Sequence, residues 1–177
     1  ASYGSGLAFY YSDPKLNSVT ISNNIASYDG GGIYIWESDS KLTNVTISNN
    51  SSNNGGAIFI KESNVVIANS IIWNNSPESM YLLSEEQPAI RYSNIQGGWE
   101  GEGNIDVDPL LSYFDNGDYT LLQGSPCIDM GTADLDGDGE EDITDYFGSA
   151  PDMGAYECAS GIYDECGRCD GPGVIYE

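Results

Sequence analysis

VTISNN forms residues 19–24 and returns unchanged at 45–50, and the related SIIWNN follows at 70–75. A second phrase keeps the same spacing: GSGLAFY at 4–10, GGGIYIW at 30–36 and GGAIFIK at 55–61. Between successive copies the offsets are 26 and then 25 residues. A fixed period of this length is typical of a chain built by stacking one structural unit.

Short runs within each unit alternate between apolar and polar side chains. Val19 and Ile21 alternate with Thr20 and Ser22, which is the two-residue period of a β-strand. No stretch has a helical period, and Gly, Asn and Ser interrupt the strands throughout. The sequence therefore predicts an all-β parallel β-helix, a solenoid of about four coils over residues 1–104, with equivalent residues about 4.8 Å apart. The predicted inward ladder is Ile21, Ile47, Ile72 and Ile95.

Paired asparagines recur at one place in every unit. They are Asn23-Asn24, Asn49-Asn50 and Asn74-Asn75. An amide stacked on an identical amide can both donate and accept along the column, and it can satisfy backbone groups at a tight corner. We interpret the pairs as a structural ladder rather than a polar strip for a ligand.

The repeat ends before the last third of the chain. Residues 105–157 do not follow it, and we predict that they form an irregular C-terminal cap, because the end units of a solenoid must cover an open apolar end. Residues 158–177 are rich in Cys, Gly and Asp and are interpreted as a tail or the start of a linker. Since the sequence opens inside a repeat, we expect it to be part of a longer protein.

The chain of 177 residues is strongly acidic. Its formal net charge is −23, with five Lys and Arg and no His, which argues against nucleic acid or an anionic membrane as a partner. No apolar run approaches the length of a membrane span, so we expect no membrane insertion. This acidity suits salty or calcium-containing water, where carboxylates are screened or coordinated.

The four cysteines are all in the last third of the chain. A zinc site without histidine would need all four thiolates, but there is only one C-x-x-C spacing, at 166–169. Disulfides in an oxidising compartment are favoured instead. A Cys127–Cys158 disulfide would staple the cap, and Cys166 could close on Cys169 or on a partner outside this sequence, but the spacing does not fix the connectivity.

Three ordered phrases mark the region after the coils: YSNIQGGWEGEGNIDVDPLL at 92–111, NGDYTLLQGSPCIDMG at 116–131 and APDMGAYE at 150–157. Together they resemble the C-terminal end of bacterial right-handed parallel β-helix proteins of the pectate-lyase-like superfamily. The resemblance implies a right-handed helix and a secreted, extracellular protein of the bacterial cell surface. Such families include polysaccharide lyases and large adhesins, so they imply location more directly than chemistry. The tail DECGRCDGPG at 164–173 is similar to cysteine-rich repeats of bacterial surface proteins.

The segment DLDGDGEEDITD at 134–145 has the spacing of a twelve-residue calcium loop. Carboxylates stand at positions 1, 3, 5, 9 and 12, a glycine makes the turn at 6, and position 7 offers a backbone carbonyl. Position 8 is a glutamate where an apolar residue is usual, and no helices flank the loop. We predict a structural Ca²⁺ site formed by Asp134, Asp136, Asp138, Glu140, Asp142 and Asp145.

A column of aromatic residues is the second candidate site. Tyr10 and Trp36 are equivalent in the repeat, as are Tyr34 and Phe59, and all four are expected to point outward. A row of flat aromatic faces can stack on sugar rings. The alternative is that these rings only support the sheet.

The residues offer no convergent catalytic set. A lyase needs a base and a cation near the substrate carboxylate, and a hydrolase needs paired carboxylates in one cleft. We therefore expect a non-catalytic structural or adhesive module of a larger surface protein, with polysaccharide or a cell-surface glycan as its partner. One alternative is the terminal fragment of a polysaccharide lyase whose active site lies on missing N-terminal coils. The other is a fibre subunit that associates end to end through its strand edges.

Overall fold

A computed structural model describes residues 2–83, 86–112, 117–158, 167 and 169. Within these residues all regular secondary structure is β-strand, and every pairing between named strands is parallel. The strands are β1 (Leu7–Tyr10), β2 (Lys15–Ser22), β3 (Ile33–Trp36), β4 (Lys41–Ser48), β5 (Ile58–Lys61), β6 (Val66–Ala68), β7 (Ile71–Trp73), β8 (Met80–Leu83), β9 (Ala89–Arg91) and β10 (Asn94–Ile95).

Two parallel sheets form the walls of the solenoid. The first sheet has the order β1-β3-β5-β8, and the second is centred on β4, which pairs with β2 on one side and with β6 and β7 on the other. Strands β9 and β10 complete the second sheet beyond β6 and β7. The predicted parallel β-helix is confirmed, although the strands enclose about three turns rather than about four.

The register follows the sequence repeat. Ile21 pairs with Ile47, Ile47 with Ile72, and Ile72 with Ile95, so the predicted inward ladder is confirmed along its whole length. These isoleucines are almost fully buried. Burial of each aliphatic side chain stabilises the folded state by about 1.5–3 kcal/mol, so the inward ladder contributes substantially to holding the turns together.

The asparagine ladder is also present. Asn50 Nδ2 lies 3.0 Å from Asn75 Oδ1, and Asn24 Nδ2 lies 3.0 Å from Asn50 Oδ1. The preceding residues Asn23, Asn49 and Asn74 have φ of 57–58°, a left-handed conformation that asparagine tolerates better than most residues. Each pair thus turns the chain with its first residue and ties adjacent turns together with its second.

The segment after β10 runs back over the outer face of the second sheet. It begins at the last turn, where Ile105 N donates to Ser93 O, and it reaches the first turn, where Asn23 Nδ2 donates to the Tyr119 hydroxyl. A second apolar cluster fills the space beneath it. The buried members of that cluster are Ile71, Leu111, Tyr119, Leu121, Cys127 and Met153.

Candidate functional site

The outward face of the first sheet carries a cluster of aromatic rings. Strand alternation sends Ile33 and Ile35 into the core and leaves Tyr34 and Trp36 on the opposite face. Because the strands are in parallel register, equivalent residues of successive turns lie on the same face, and their rings contact one another. We define the aromatic strip as the connected set Tyr3, Tyr10, Tyr11, Tyr28, Tyr34, Trp36, Phe59 and Tyr81.

The centre of the aromatic strip is a stack of three rings along the solenoid axis. Tyr34 and Phe59 have centroids 5.1 Å apart with an interplanar angle of 2°, and Phe59 and Tyr81 are 5.6 Å apart at 8°. Tyr34 and Phe59 are only 7% and 4% exposed, and burial raises the pKa of the Tyr34 hydroxyl above its ordinary value. Their faces are occupied by neighbouring rings, so they support the strip rather than present a free face.

The exposed rings lie around this stack. Tyr11 is 68% exposed, Tyr28 54% and Tyr10 43%. Tyr3 stacks on Tyr28 with centroids 5.3 Å apart, and Tyr10 leans on Tyr34 at 5.4 Å. These tyrosines combine accessible ring surface with a hydroxyl, as sugar stacking and hydrogen bonding require.

Trp36 has one face covered from within the molecule. Lys61, its register partner on the next turn, places Nζ 4.1 Å from the indole centroid. The same Nζ lies 3.9 Å from a carboxylate oxygen of Glu62. Trp36 Nε1 is buried, and no group among the described residues accepts a hydrogen bond from it.

The structure brings the four predicted residues Tyr10, Tyr34, Trp36 and Phe59 into one surface and confirms both predicted equivalences. Their role in binding stays a prediction. The sequence repeat did not identify four other members, namely Tyr3, Tyr11, Tyr28 and Tyr81. Tyr81 was detectable in principle, because it is the register partner of Phe59 in the degenerate last turn.

The acidic loop draws three of its carboxylates together. Oxygens of Asp134, Asp136 and Asp138 all lie within 4.8 Å of one another. Asp134 accepts hydrogen bonds from the backbone N–H groups of Gly139, at 2.9 Å, and Gly137, at 2.6 Å. These bonds hold the pKa of the Asp134 carboxyl below its ordinary value. The lowered pKa favours the ionised form of Asp134, and the three side chains converge on one point, an arrangement that suits a hard cation.

The other predicted calcium ligands lie outside this group of three. Asp142 accepts a hydrogen bond from Leu135 N at 2.7 Å, which closes the base of the loop. Asp145 lines a separate cavity between the loop and the second sheet, together with Asn44 and Glu157. Glu140 is exposed, and its N–H donates to Asp138 Oδ1 at 2.8 Å.

The predicted pairing of Cys127 with Cys158 is wrong. Cys158 forms a disulfide with Cys169, and their Cα atoms are 5.6 Å apart. Cys127 is a free thiol with no exposed surface, enclosed in the second apolar cluster. Burial raises its pKa to about 11, so the thiol is neutral and unreactive at physiological pH. A Cys166–Cys169 disulfide is also excluded, because Cys169 is bonded to Cys158; Cys166 itself lies outside the described residues.

A cavity of about 530 Å³ opens beside the last turn, and Arg91 in its lining also approaches the acidic loop at Gly137. Arg91, Glu100 and Glu102 contribute its charged groups, and Ile90 and Pro88 its apolar wall. Glu102 hydrogen bonds to the Tyr92 hydroxyl and, with burial, raises the pKa of that tyrosine. One of the charged groups in the cavity lining, Glu102, is thus already bonded to a side chain of the protein.

Comparison with known proteins identifies the family. The family described as the right handed beta helix region matches residues 2–102, more than half of the chain. The chain therefore belongs to the right-handed β-helix family. Comparisons with curated proteins and with solved structures gave no match. No helix long and apolar enough to cross a membrane occurs among the residues that the structure describes.

Proposed function

We propose that this chain is a non-catalytic, extracellular module of a bacterial surface protein that binds polysaccharide through the aromatic strip. The observation that supports this most strongly is the continuous aromatic surface with exposed tyrosines around a rigid ring stack. An aromatic patch of this extent is unusual on a protein that binds nothing. The two central strands beneath it, β3 and β5, are fixed by parallel ladders on both sides, and the edge strands β1 and β8 by one ladder each, so binding would require little ordering of the protein.

Sugar stacking on the exposed tyrosines is tested with paired substitutions. Tyr10→Ser and Tyr11→Ser together remove the most accessible rings next to Trp36 but leave the buried stack intact. We expect loss of binding on an array of neutral and charged oligosaccharides. The matched control is Tyr156→Ser, which removes a tyrosine of similar exposure (41%) outside the strip. Equal binding by the Tyr10/Tyr11 variant and the control would contradict the proposal.

We further propose that the acidic loop binds one structural Ca²⁺. The support is the convergence of Asp134, Asp136 and Asp138 with the Gly137–Gly139 turn that presents them. The ion would hold the loop, and with it the neighbouring part of the segment that runs over the second sheet after β10, in one conformation. It would contribute no chemistry to the aromatic strip.

Thermal melting in Ca²⁺ and in EGTA tests the calcium proposal. Calcium at 100 times its Kd should stabilise the folded state by about 2.7 kcal/mol. Asp134→Asn should abolish this shift, whereas Glu100→Gln, an exposed carboxylate outside the loop, should retain it. Identical melting curves in the two buffers for the unmodified chain would exclude a stabilising site.

A further inference from the structure

Carboxylates border the aromatic strip where the first sheet ends. Because Tyr10, Trp36 and Lys61 are register partners, the next residues Tyr11, Glu37 and Glu62 occupy one column. All three have positive φ, of 47–50°, so they turn the chain in the same way on each turn. Glu37 lies against Tyr11, where its charge and a hydrogen bond raise the pKa of the tyrosine hydroxyl.

The same corner continues with a second acidic column. Asp13 accepts a hydrogen bond from Asp39 N at 2.9 Å, and Asp39 accepts one from Asn64 N at 2.9 Å. Lys15 and Lys41 follow at the start of the second sheet. Four carboxylates (Glu37, Glu62, Asp13 and Asp39) therefore face three ammonium groups (Lys15, Lys41 and Lys61) around this corner.

The opposite border of the strip is acidic as well. Asp29 follows Tyr28, adds to the raised pKa of Tyr34, and accepts a hydrogen bond from Asn54 Nδ2 at 2.7 Å. On a later turn Glu78 accepts a hydrogen bond from Gly55 N. Both carboxylates are bonded to neutral donors, so their negative charge is not cancelled.

The aromatic strip already holds one ammonium group of the protein itself. Lys61 Nζ lies between the Trp36 face, at 4.1 Å, and Glu62, at 3.9 Å. It is the one cationic side chain among the described outward positions of the first sheet. An ammonium between an aromatic face and a carboxylate is a favourable arrangement, and the exposed pair Tyr11 and Glu37 offers the same two groups without a lysine.

We infer that the aromatic strip selects amine-bearing polysaccharides, polymers of a cationic amino sugar, over neutral and acidic ones. Sugar rings would lie on the exposed tyrosines, and their ammonium groups would approach Glu37, Glu62 and the opposite border. A uronic acid polymer would instead bring its carboxylates against carboxylates and be repelled. This inference rests on the proposed polysaccharide-binding function and names the substrate class for it.

The test compares three oligosaccharides of equal length at about pH 5.5, where amines and most carboxylates of the protein are charged. They are a fully deacetylated glucosamine oligomer, its N-acetylated neutral counterpart and an oligogalacturonate. We expect the glucosamine oligomer to bind at least about tenfold more tightly than the neutral one, and the oligogalacturonate least tightly. The preference should diminish as salt rises above physiological strength.

The Glu37→Gln/Glu62→Gln double variant should lose most of the preference while keeping its affinity for the neutral oligomer. Glu100→Gln/Glu141→Gln removes two exposed charges outside the strip and should keep the preference. Equal affinity for amine-bearing and neutral oligomers would overturn the inference but leave the proposed function standing, whereas failure to bind any oligomer would overturn the proposed function. A preference lost equally in both double variants would indicate net charge alone, and tighter binding of a lysine-rich peptide would indicate a protein partner; either result overturns the inference.

Discussion

The side chain of Asn50 forms hydrogen bonds to groups on both adjacent turns at a corner of the solenoid. Its Nδ2 donates to Ile21 O at 2.9 Å and to Asn75 Oδ1 at 3.0 Å, and its Oδ1 accepts from Asn24 N at 2.9 Å. The residue is 1% exposed. Every polar atom of the amide is therefore used inside the protein, and its loss would leave buried groups on two adjacent turns without partners.

The first prediction concerns this amide. Asn50→Ala should lower the free energy of unfolding by about 3 kcal/mol, because each buried polar group left unpaired costs about 1–3 kcal/mol. Urea unfolding at neutral pH measures the effect. Asn53→Ala is the matched control, because exposed Asn53 makes one side-chain bond, to Ser27 O, and should cost less than about 1 kcal/mol. Similar losses for the two variants would show that the ladder adds no special stability.

Some residues reveal their role in the sequence and others do not. Asparagine at Asn49 and Asn74 is a recognisable sign of a left-handed corner, since its side chain tolerates that conformation. Glu37 and Glu62 adopt the same backbone region, but glutamate is not enriched there, so the second corner could not be predicted. Cys127 was misjudged because a cysteine's spacing does not report whether it faces a partner or an apolar core.

At the scale of elements, the strap from Ile105 to Cys158 is attached to the second sheet at a few defined points. Asn69 makes the tightest of these attachments. Its Nδ2 donates to Thr132 O and its Oδ1 accepts from Thr132 N, each at 2.8 Å, and its carbonyl accepts from Gly154 N. Thr46 Oγ1 accepts from Ala155 N at 2.9 Å on the neighbouring strand. The strap thus depends on side chains from turns far away in sequence.

The second prediction tests the attachment at Asn69. Asn69→Gly removes the amide but keeps a residue suited to the left-handed backbone (φ 50°). Hydrogen exchange should become faster in residues 131–158 and stay slow in β4 and β7. The side chain of Asn44 occupies the equivalent place one turn earlier, and its Oδ1 has no partner among the described residues. Asn44→Gly should therefore leave exchange in the strap unchanged, and an equal effect of both variants would contradict the attachment.

The elements divide into a part that the sequence predicts and a part that it does not. Strands with a constant offset, such as β2 and β4, fix their own register, because only one pairing stacks Ile21 on Ile47. The strap has no repeat, and its path depends on long-range contacts such as Asn69 with Thr132. The aromatic strip could be predicted from the sequence only in part. Trp36 follows from the period, but Tyr3 and Tyr28 join it through a corner that the period does not describe.

At the scale of the whole molecule, excess negative charge opposes folding. The net charge of −23 is distributed over a small protein, and self-repulsion destabilises its compact state. Burial also raises the pKa of Asp152 and of Glu157 above their ordinary values, so their ionised forms are disfavoured in the folded protein. Both effects weaken the fold at neutral pH relative to mildly acidic pH.

The third prediction is a stability maximum on the acidic side of neutrality. An acid whose pKa is raised by folding binds its proton more tightly in the folded state, so stability rises as pH falls from 7 toward about 5. Asp134, with its lowered pKa, acts in the opposite direction, but only below its ordinary range near pH 4. We expect Tm to increase by about 2–4 °C, which corresponds to about 1 kcal/mol for a chain of this size.

Melting curves at constant ionic strength check this prediction. Glu157→Gln should flatten the dependence of Tm on pH, whatever its effect on Tm itself, because the titrating group is gone. The exposed Glu140→Gln variant should retain the slope of the unmodified chain. A Tm that decreases steadily from pH 7 to 5 would show that the buried carboxylates gain more from ionisation than they lose by burial.

The parallel ladders between turns have a mechanical consequence. A tension applied along the solenoid axis loads the interfaces between successive turns in series, whereas the ladders within one interface share the force, so the interface with the fewest residue pairs yields first. The β2–β4 ladder joins seven residue pairs, whereas β6–β9 joins three and β7–β10 joins two. Since β1–β3 and β5–β8 each join four pairs, the last interface is the weaker one. Rupture would therefore start at the final turn, which carries Tyr81, and leave the turns that carry Tyr10, Tyr11 and Tyr28 joined, so that a ligand held there would stay bound while the far end of the rod unravels.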